Sequence, residues 1–265
     1  MAVPSDLRLY SLNVSPWSER ARWMLNHHGL AFRKIEHIPF LGERRLRKVL
    51  GQPEGRVTVP VLIADGRTLA NSWDIALYAE RVGRGARLIP EELEADVRRW
   101  HDLAERSMSA GRALTIARLL ASDAALEEAL PPAAPRLLRR LLRPVARQVT
   151  RWFARKYELD LAGAASAQAA QREALDALRT ALVRSEYVLG RFSYADIIAA
   201  SLLQGVVPVA ERYLRLGPAT REAWTNPELA AAYPDLVAWR DRLYQRHRRE
   251  SPHVSEPAPR LDSVA

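Results

Sequence analysis

The stretch "VTVPVLIADGRTLANSWDIALYAERVG", residues 57–83, decides how the first third of the chain folds. Val57 to Ala64 is apolar and rich in β-branched residues, so it reads as a strand. Asp65-Gly66 is a strong two-residue hairpin signal, because these residues tolerate the positive φ that such a turn demands, and Arg67 to Ala70 reads as the return strand. From Ser72, which stands as the helix cap, the apolar positions change to Ile75, Leu77, Tyr78, Ala79 and Val82, a helical pattern that stops at Gly83.

Working back from this unit, "LRLYSL" (7–12) is strand-like, and "SPWSERARWMLNHHG" (15–29) carries helical punctuation at both ends. Ser15 can cap the first turn, Pro16 suits the first helical position, Glu19 lies near the positive end, and Gly29 supplies the stop. Ala31 to Ile38 reads as a second strand and Gly42 to Leu50 as a short basic helix, which gives β-α-β-α-β-β-α for residues 5–83. "GRGARLIPEE" (83–92) has linker composition, and the linker is set at 84–90.

Everything beyond the linker is helical by pattern. Residues 91–250 form an all-helical second domain, with helices near Glu91 to Leu120, 136–157, 164–184, 194–207 and 235–248, and the proline-bearing tail 251–265 reads as disordered. Phe192-Ser193-Tyr194-Ala195-Asp196-Ile197 supplies a helix start: Ser193 as cap, Asp196 three residues on, and Phe192 with Ile197 at the staple positions.

Composition narrows the chemistry. With 265 residues and a 48% hydrophobic fraction, the chain can bury a sizeable core. No apolar run approaches the roughly 18 residues of a membrane span, and "MAVPSDLRLYSL" lacks signal-peptide features, so a soluble cytoplasmic protein is expected. There is no cysteine, which removes disulfides, protein thiolates and Cys-ligated zinc together. The six histidines (His27, His28, His37, His101, His247, His253) lack metal-ligand spacing, and no metal is expected. Neither a phosphate loop nor a G-x-S-x-G motif occurs.

The formal charge of +9 is concentrated. Arg136, Arg139, Arg140, Arg143, Arg147, Arg151, Arg155 and Lys156 are eight basic residues with no acidic one between them, leaving +1 on the rest of the chain. No nucleic-acid reader motif accompanies them, so nucleic acid is not the expected partner. The segment is amphipathic, with a kink expected at Pro144. It reads either as a packed helix with a solvated arginine face or as a surface for anionic membrane or an acidic partner.

Three segments in register, "SPWSERARW", "VTVPVLIADGRTLANSWDIALYAE" and "FSYADIIAASL", resemble the glutathione transferase superfamily over about residues 7–250. The resemblance implies a thioredoxin-like glutathione-binding domain followed by an all-α domain, glutathione as co-substrate, a small hydrophobic electrophile as second substrate, and a homodimer. By motif the nearest members are the serine-type, tau-like ones. Ser15 then matches the residue that activates the sulfur, in place of the Cys of omega-type members, with Trp17 beside it in the glutathione site. A hydroxyl donating to sulfur at the positive end of a helix favours the thiolate, and lowering a thiol pKa by about two units requires about 2.7 kcal/mol. The competing reading is a pure helix cap, the two roles competing for one hydroxyl.

The same resemblance makes Pro60 the cis-proline that turns the Val59 backbone toward the ligand, against an ordinary proline at the start of an edge strand. Ser72 matches the residue that binds the γ-glutamyl carboxylate at a helix N-terminus. Asn71 departs from the acidic residue usual there, which weakens the grip on the ligand's ammonium. Arg56 falls near a basic position that pairs with the glycine carboxylate, or is a solvated charge, while Trp100, Met108 and Arg112 match the helix lining the electrophile pocket, or are helix core and surface. The expected function is conjugation of glutathione to, or reduction of, a hydrophobic electrophile. The alternative is a non-catalytic binding protein on the same scaffold, with altered or lost glutathione affinity, docking through its basic helix.

Overall fold

A computed structural model describes residues 6–130 and 135–249. It divides into two compact units, one running to Glu91 and including the segment from His247, the other spanning Glu92–Arg246. The tail 251–265 lies outside the described residues.

The first unit is a four-stranded sheet with three helices. β1 (Arg8–Ser11), α1 (Pro16–His27), β2 (Arg33–Glu36), α2 (Glu43–Leu50), β3 (Val61–Ala64), β4 (Arg67–Leu69) and α3 (Ser72–Val82) follow in that order. The strands lie β2-β1-β3-β4, with β1 parallel to β2 and antiparallel to β3. The parallel pair is the one joined by a helix, since parallel neighbours need a crossover, and the antiparallel pair β3-β4 needs only a turn. This is a thioredoxin-like arrangement, followed by a helical unit.

Register assigns the sheet faces. Tyr10 stands opposite Ile35 and Val61, and these three bury with Leu46 of α2 and Val57 in one apolar cluster. Leu9 and its partner Leu62 are fully buried on the alternate side. The hairpin turn has Asp65 at φ 51° and Gly66 at φ 72°, the left-handed pair that the Asp-Gly signal predicts. Tyr78 of α3 donates its hydroxyl to Asp65 Oδ2 at 3.0 Å, anchoring that turn. Burial and the neighbouring carboxylate push the phenol up to about 12, so it remains a donor throughout the neutral range. α1 packs on α3, and at Gly83 a β-carbon would lie 2.2 Å from His28 Cβ, so only glycine permits the two helix ends to close.

The strand expected from Val57 begins at Val61 instead. Proline offers no N–H to a ladder, so the segment before Pro60 departs from the sheet even though Val57 is buried; the Val59–Pro60 bond is cis.

Among its described residues the second unit holds helices and no strand: α4 (Glu94–Ala121), α5 (Asp123–Glu128), α6 (Arg136–Lys156), α7 (Ala164–Ala181), α8 (Tyr194–Leu202), α9 (Pro218–Trp224), α10 (Pro227–Ala232) and α11 (Pro234–His247). α4 packs against α7 and α8, and every residue of α8 is buried. The start of α8 is a reciprocal capping box: Ser193 Oγ caps the first turn while Asp196 Oδ2 accepts from Ser193 N at 2.8 Å. Asp196 Oδ1 also accepts from Val188 N at 2.8 Å, pinning the preceding loop. α8 stops at Leu202, short of the expected 207, and passes into a 3-10 turn. α6 continues as one helix through Pro144.

Candidate functional site

The register of the sheet gathers the candidate residues at one end. Extending the pairing of Tyr10 with Val61 by one residue sets Pro60 across from Ser11, where β1 ends. Extending Leu62 with Leu69 by two sets Asn71 across from Pro60, where α3 begins. The loop 12–15, the Val59–Pro60 bond and the N-terminus of α3 therefore share the sheet's end.

Ser15 is the N-cap of α1, with extended backbone at φ −81° and ψ 122°, and its Oγ accepts from Ser18 N at 3.3 Å. A hydroxyl has two acceptor lone pairs and one proton. Capping uses a lone pair, so the proton stays available, and the competition expected between capping and sulfur contact does not arise. Trp17, in the first turn, is half-buried.

Ser18 is fully buried, and its Oγ accepts from Leu12 N at 3.2 Å, tying the end of β1 to α1. Arg22 fixes the same loop from the next turn, with Nη1 on Leu12 O at 3.4 Å and Nη2 on Asn13 O at 3.1 Å. Its Nε donates to Glu19 Oε2 at 3.0 Å, and Arg248 Nε donates to Glu19 Oε1 at 2.6 Å. Burial pushes the Glu19 carboxyl up, but Arg248 and Arg22 more than offset it, and the carboxyl sits below its ordinary range. Two guanidiniums around one carboxylate leave the cluster with a net positive charge against the Ser15 loop. That charge and the helix dipole both favour an anion there.

At the other half of the site, the cap of α3 is Asn71 rather than Ser72. Asn71 is extended at φ −154°, and its Oδ1 accepts from Asp74 N at 2.8 Å; Ser72 is the first helical residue, buried beneath it. The two share Asx/Ser capping chemistry, and the residue that keeps extended backbone takes the role. Asn71 Nδ2 donates to Asp74 Oδ2 at 2.7 Å. The charge that Asn71 lacks is thus present one turn along, on an exposed carboxylate in contact with it.

Residues 9–85 match the family model described as glutathione S-transferase, N-terminal domain. The N-terminal unit is of the glutathione S-transferase superfamily. Solved glutathione S-transferases share the fold over more than nine-tenths of this chain. One from Ceriporiopsis subvermispora, in complex with glutathione, superposes with a TM-score of 0.58 at 19% identity, covering 93% of this chain and 99% of that one. Another from Rhodospirillum rubrum F11 gives 0.57 at 21%, covering 94% and 96%. A third, from Methylobacterium radiotolerans JCM 2831 in complex with glutathione sulfonate, gives 0.55 at 20%, covering 97% and 100%. Curated proteins give no sequence match.

The remaining candidates fall elsewhere in this glutathione S-transferase fold. Val59 is half-buried beside the Tyr10 cluster, and Arg56 is exposed in the loop after α2. In the helical unit, Met108 is buried in α4 with Ser201 Oγ of α8 at 3.8 Å from its sulfur. Arg112 lies over the Tyr157 ring at 4.2 Å, and Trp100 is half-buried. Among the described residues no group of three or more His, Cys, Asp or Glu side chains could hold a metal ion. Sequence reasoning missed Arg22, Asp74 and Arg248, and gave Ser18 no task beyond the helix start. "SERAR" held Arg22 in view, since Glu19 and Arg22 at i, i+3 are neighbours on a helix, whereas nothing local announces Arg248.

Proposed function

We propose that this chain is a glutathione transferase in which Ser15 activates the thiol of bound glutathione for attack on a small hydrophobic electrophile. The observation that carries the reading is the hydroxyl of Ser15, held by accepting a bond from Ser18 N and left with its proton to donate. Glutathione loses its thiol proton to solvent, and the sulfur keeps the electron pair and accepts the Ser15 O–H. It then forms the new bond to the electrophile, whose leaving group departs with the displaced pair or, in an addition, whose acceptor atom takes up a proton. A free thiol of pKa about 8.5 is only a few percent ionised at neutral pH, so favouring the anion raises the nucleophile's population directly.

The Val59 backbone pairs with the cysteinyl backbone of the ligand. Ser72 and the N-terminus of α3 receive the γ-glutamyl carboxylate, and Asp74, buttressed by Asn71, takes the ammonium. Trp17 borders the sulfur, Arg56 takes the glycine carboxylate, and Trp100, Met108 and Arg112 shape the electrophile's pocket. A homodimer is the assembly that the family resemblance implies.

The second reading is a binding protein that no longer holds glutathione. What favours it is Asn71, whose amide is engaged at both ends with Asp74 in capping α3. Isothermal titration with glutathione separates the two: saturable binding supports the transferase, and no heat at millimolar ligand leaves the binding protein.

A further inference from the structure

α6 does not present itself to solvent as its sequence suggests. Near its middle two arginines turn toward α5: Arg143 Nη1 pairs with Asp123 of α5 at 2.7 Å, and Arg147 donates to Asp123 Oδ1 at 2.7 Å and to Leu120 O at 2.6 Å. The apolar residues are left outside. Leu137 is 71% exposed, Leu141 69%, Val145 54% and Leu138 43%. Leu137, Leu141 and Val145 recur at four-residue steps and so form one row, with Leu138 beside it. Arg140, Arg151 and Arg155 are also exposed and fall along the other margin of the same face. Ala146 and Ala154, both buried, mark the opposite side, which faces the protein.

An apolar row bordered by arginines, on a helix with no acidic residue, would be costly to leave in water and fits an interface that is itself oily below and anionic above. We propose that α6 is a membrane-surface helix, which lays Leu137, Leu138, Leu141 and Val145 among the acyl chains of an anionic bilayer while Arg140, Arg151 and Arg155 meet the lipid phosphates. A second copy of this chain is a poor occupant of the face, because it would bring another row of arginines against the first. An acidic protein would satisfy the arginines but gives no reason for four bare aliphatic side chains. α6 lies on the surface rather than spanning, since no helix among the described residues is long and apolar enough to cross a membrane.

The absence of cysteine makes the test direct, because Val145→Cys is a unique labelling site. The full chain carrying an environment-sensitive fluorophore at that position is mixed with vesicles of phosphatidylcholine containing phosphatidylserine, with pure phosphatidylcholine vesicles, and with poly-glutamate. The expected result is sedimentation with anionic vesicles and a blue shift that lipid-borne quenchers suppress. Leu137→Ser with Leu141→Ser should lower partitioning roughly tenfold or more while leaving the far-ultraviolet circular dichroism unchanged. Arg140→Glu with Arg151→Glu should weaken binding to a similar degree at low salt. No sedimentation with anionic vesicles would overturn the proposal. So would sedimentation that the leucine substitutions leave unaltered, which would reduce the contact to headgroup adhesion, or a label response to poly-glutamate alone, which would assign the face to an acidic protein.

Discussion

Arg248 Nε donates to Glu19 Oε1 at 2.6 Å, joining residues 229 apart in sequence across a buried carboxylate whose other side is held by Arg22. The three side chains are each at most about one-tenth exposed. Breaking such a group by removing one member is costly because the remaining charges stay buried, on the order of 3 kcal/mol.

Glu19→Gln is therefore expected to lower the stability of the folded chain by about 3 kcal/mol at neutral pH. The sign with pH follows from the depressed carboxyl: its contribution is in full force above the ordinary carboxylate value of 4.5 and is lost as pH falls through the lower folded-state value. Urea unfolding of the parent between neutral and acid pH should show that loss, and the variant should decline less steeply. Equal midpoints for the two proteins at neutral pH would remove the cluster from the account of stability.

Asp196 behaves in the opposite sense. Burial pushes its carboxyl up to about 6 from the ordinary 3.8, against the hydrogen bonds from Val188 and Ser193 that favour the ionised form. Between those two values the folded chain holds a proton that the unfolded chain has released, so this group's contribution falls as pH rises through about 6. Asp196→Asn should erase that slope, which unfolding midpoints measured from about pH 4 to 7 will detect. A slope preserved in the variant would assign it to another group.

Asp74→Asn tests the reassigned ammonium contact. Asn keeps an acceptor for Asn71 Nδ2 and removes only the charge, so KM for glutathione should rise roughly tenfold with kcat little changed. An unaltered KM would leave the ligand's ammonium to some other group.

Much of this fold was legible because its local signals agree with one another. Asp65-Gly66 names its own turn, Ser15-Pro16 opens α1, and Phe192 to Ile197 opens α8, each through chemistry confined to a few adjacent residues. Where a proline could be read two ways, reading was harder. Pro218 and Pro227 stand at the first positions of α9 and α10, yet in a short stretch without clear periodicity they pass for breakers. α5 spans only Asp123–Glu128, too short for a 3.6-residue period to declare itself, and its cap by Ser122 is the sole local sign.

The candidate site divides in the same way. The end of the sheet that gathers Ser15, Pro60 and Asn71 follows from register, and the motifs carried it. Which of Asn71 and Ser72 would cap α3 turned on backbone angles that both residue types allow. The exposed leucines of α6 were hidden for a different reason: periodicity reports that a helix is amphipathic, but the acids of α5 decide which face turns inward.

The central claim is that one hydroxyl both caps α1 and stabilises the sulfur of the ligand. Ser15→Ala removes both roles, at about 1 kcal/mol of stability for the cap. Ser15→Asp keeps a capping acceptor but has no proton to give and adds a negative charge. The decisive measurement is the thiolate ultraviolet absorbance of bound glutathione titrated in all three proteins. In the parent the thiol should ionise about two units below the roughly 8.5 of a free thiol, and in both variants it should return to that value or above, with thermal stability retained in Ser15→Asp. A bound thiol that titrates at the parent value in Ser15→Asp would contradict the account and leave Ser15 as a helix cap alone.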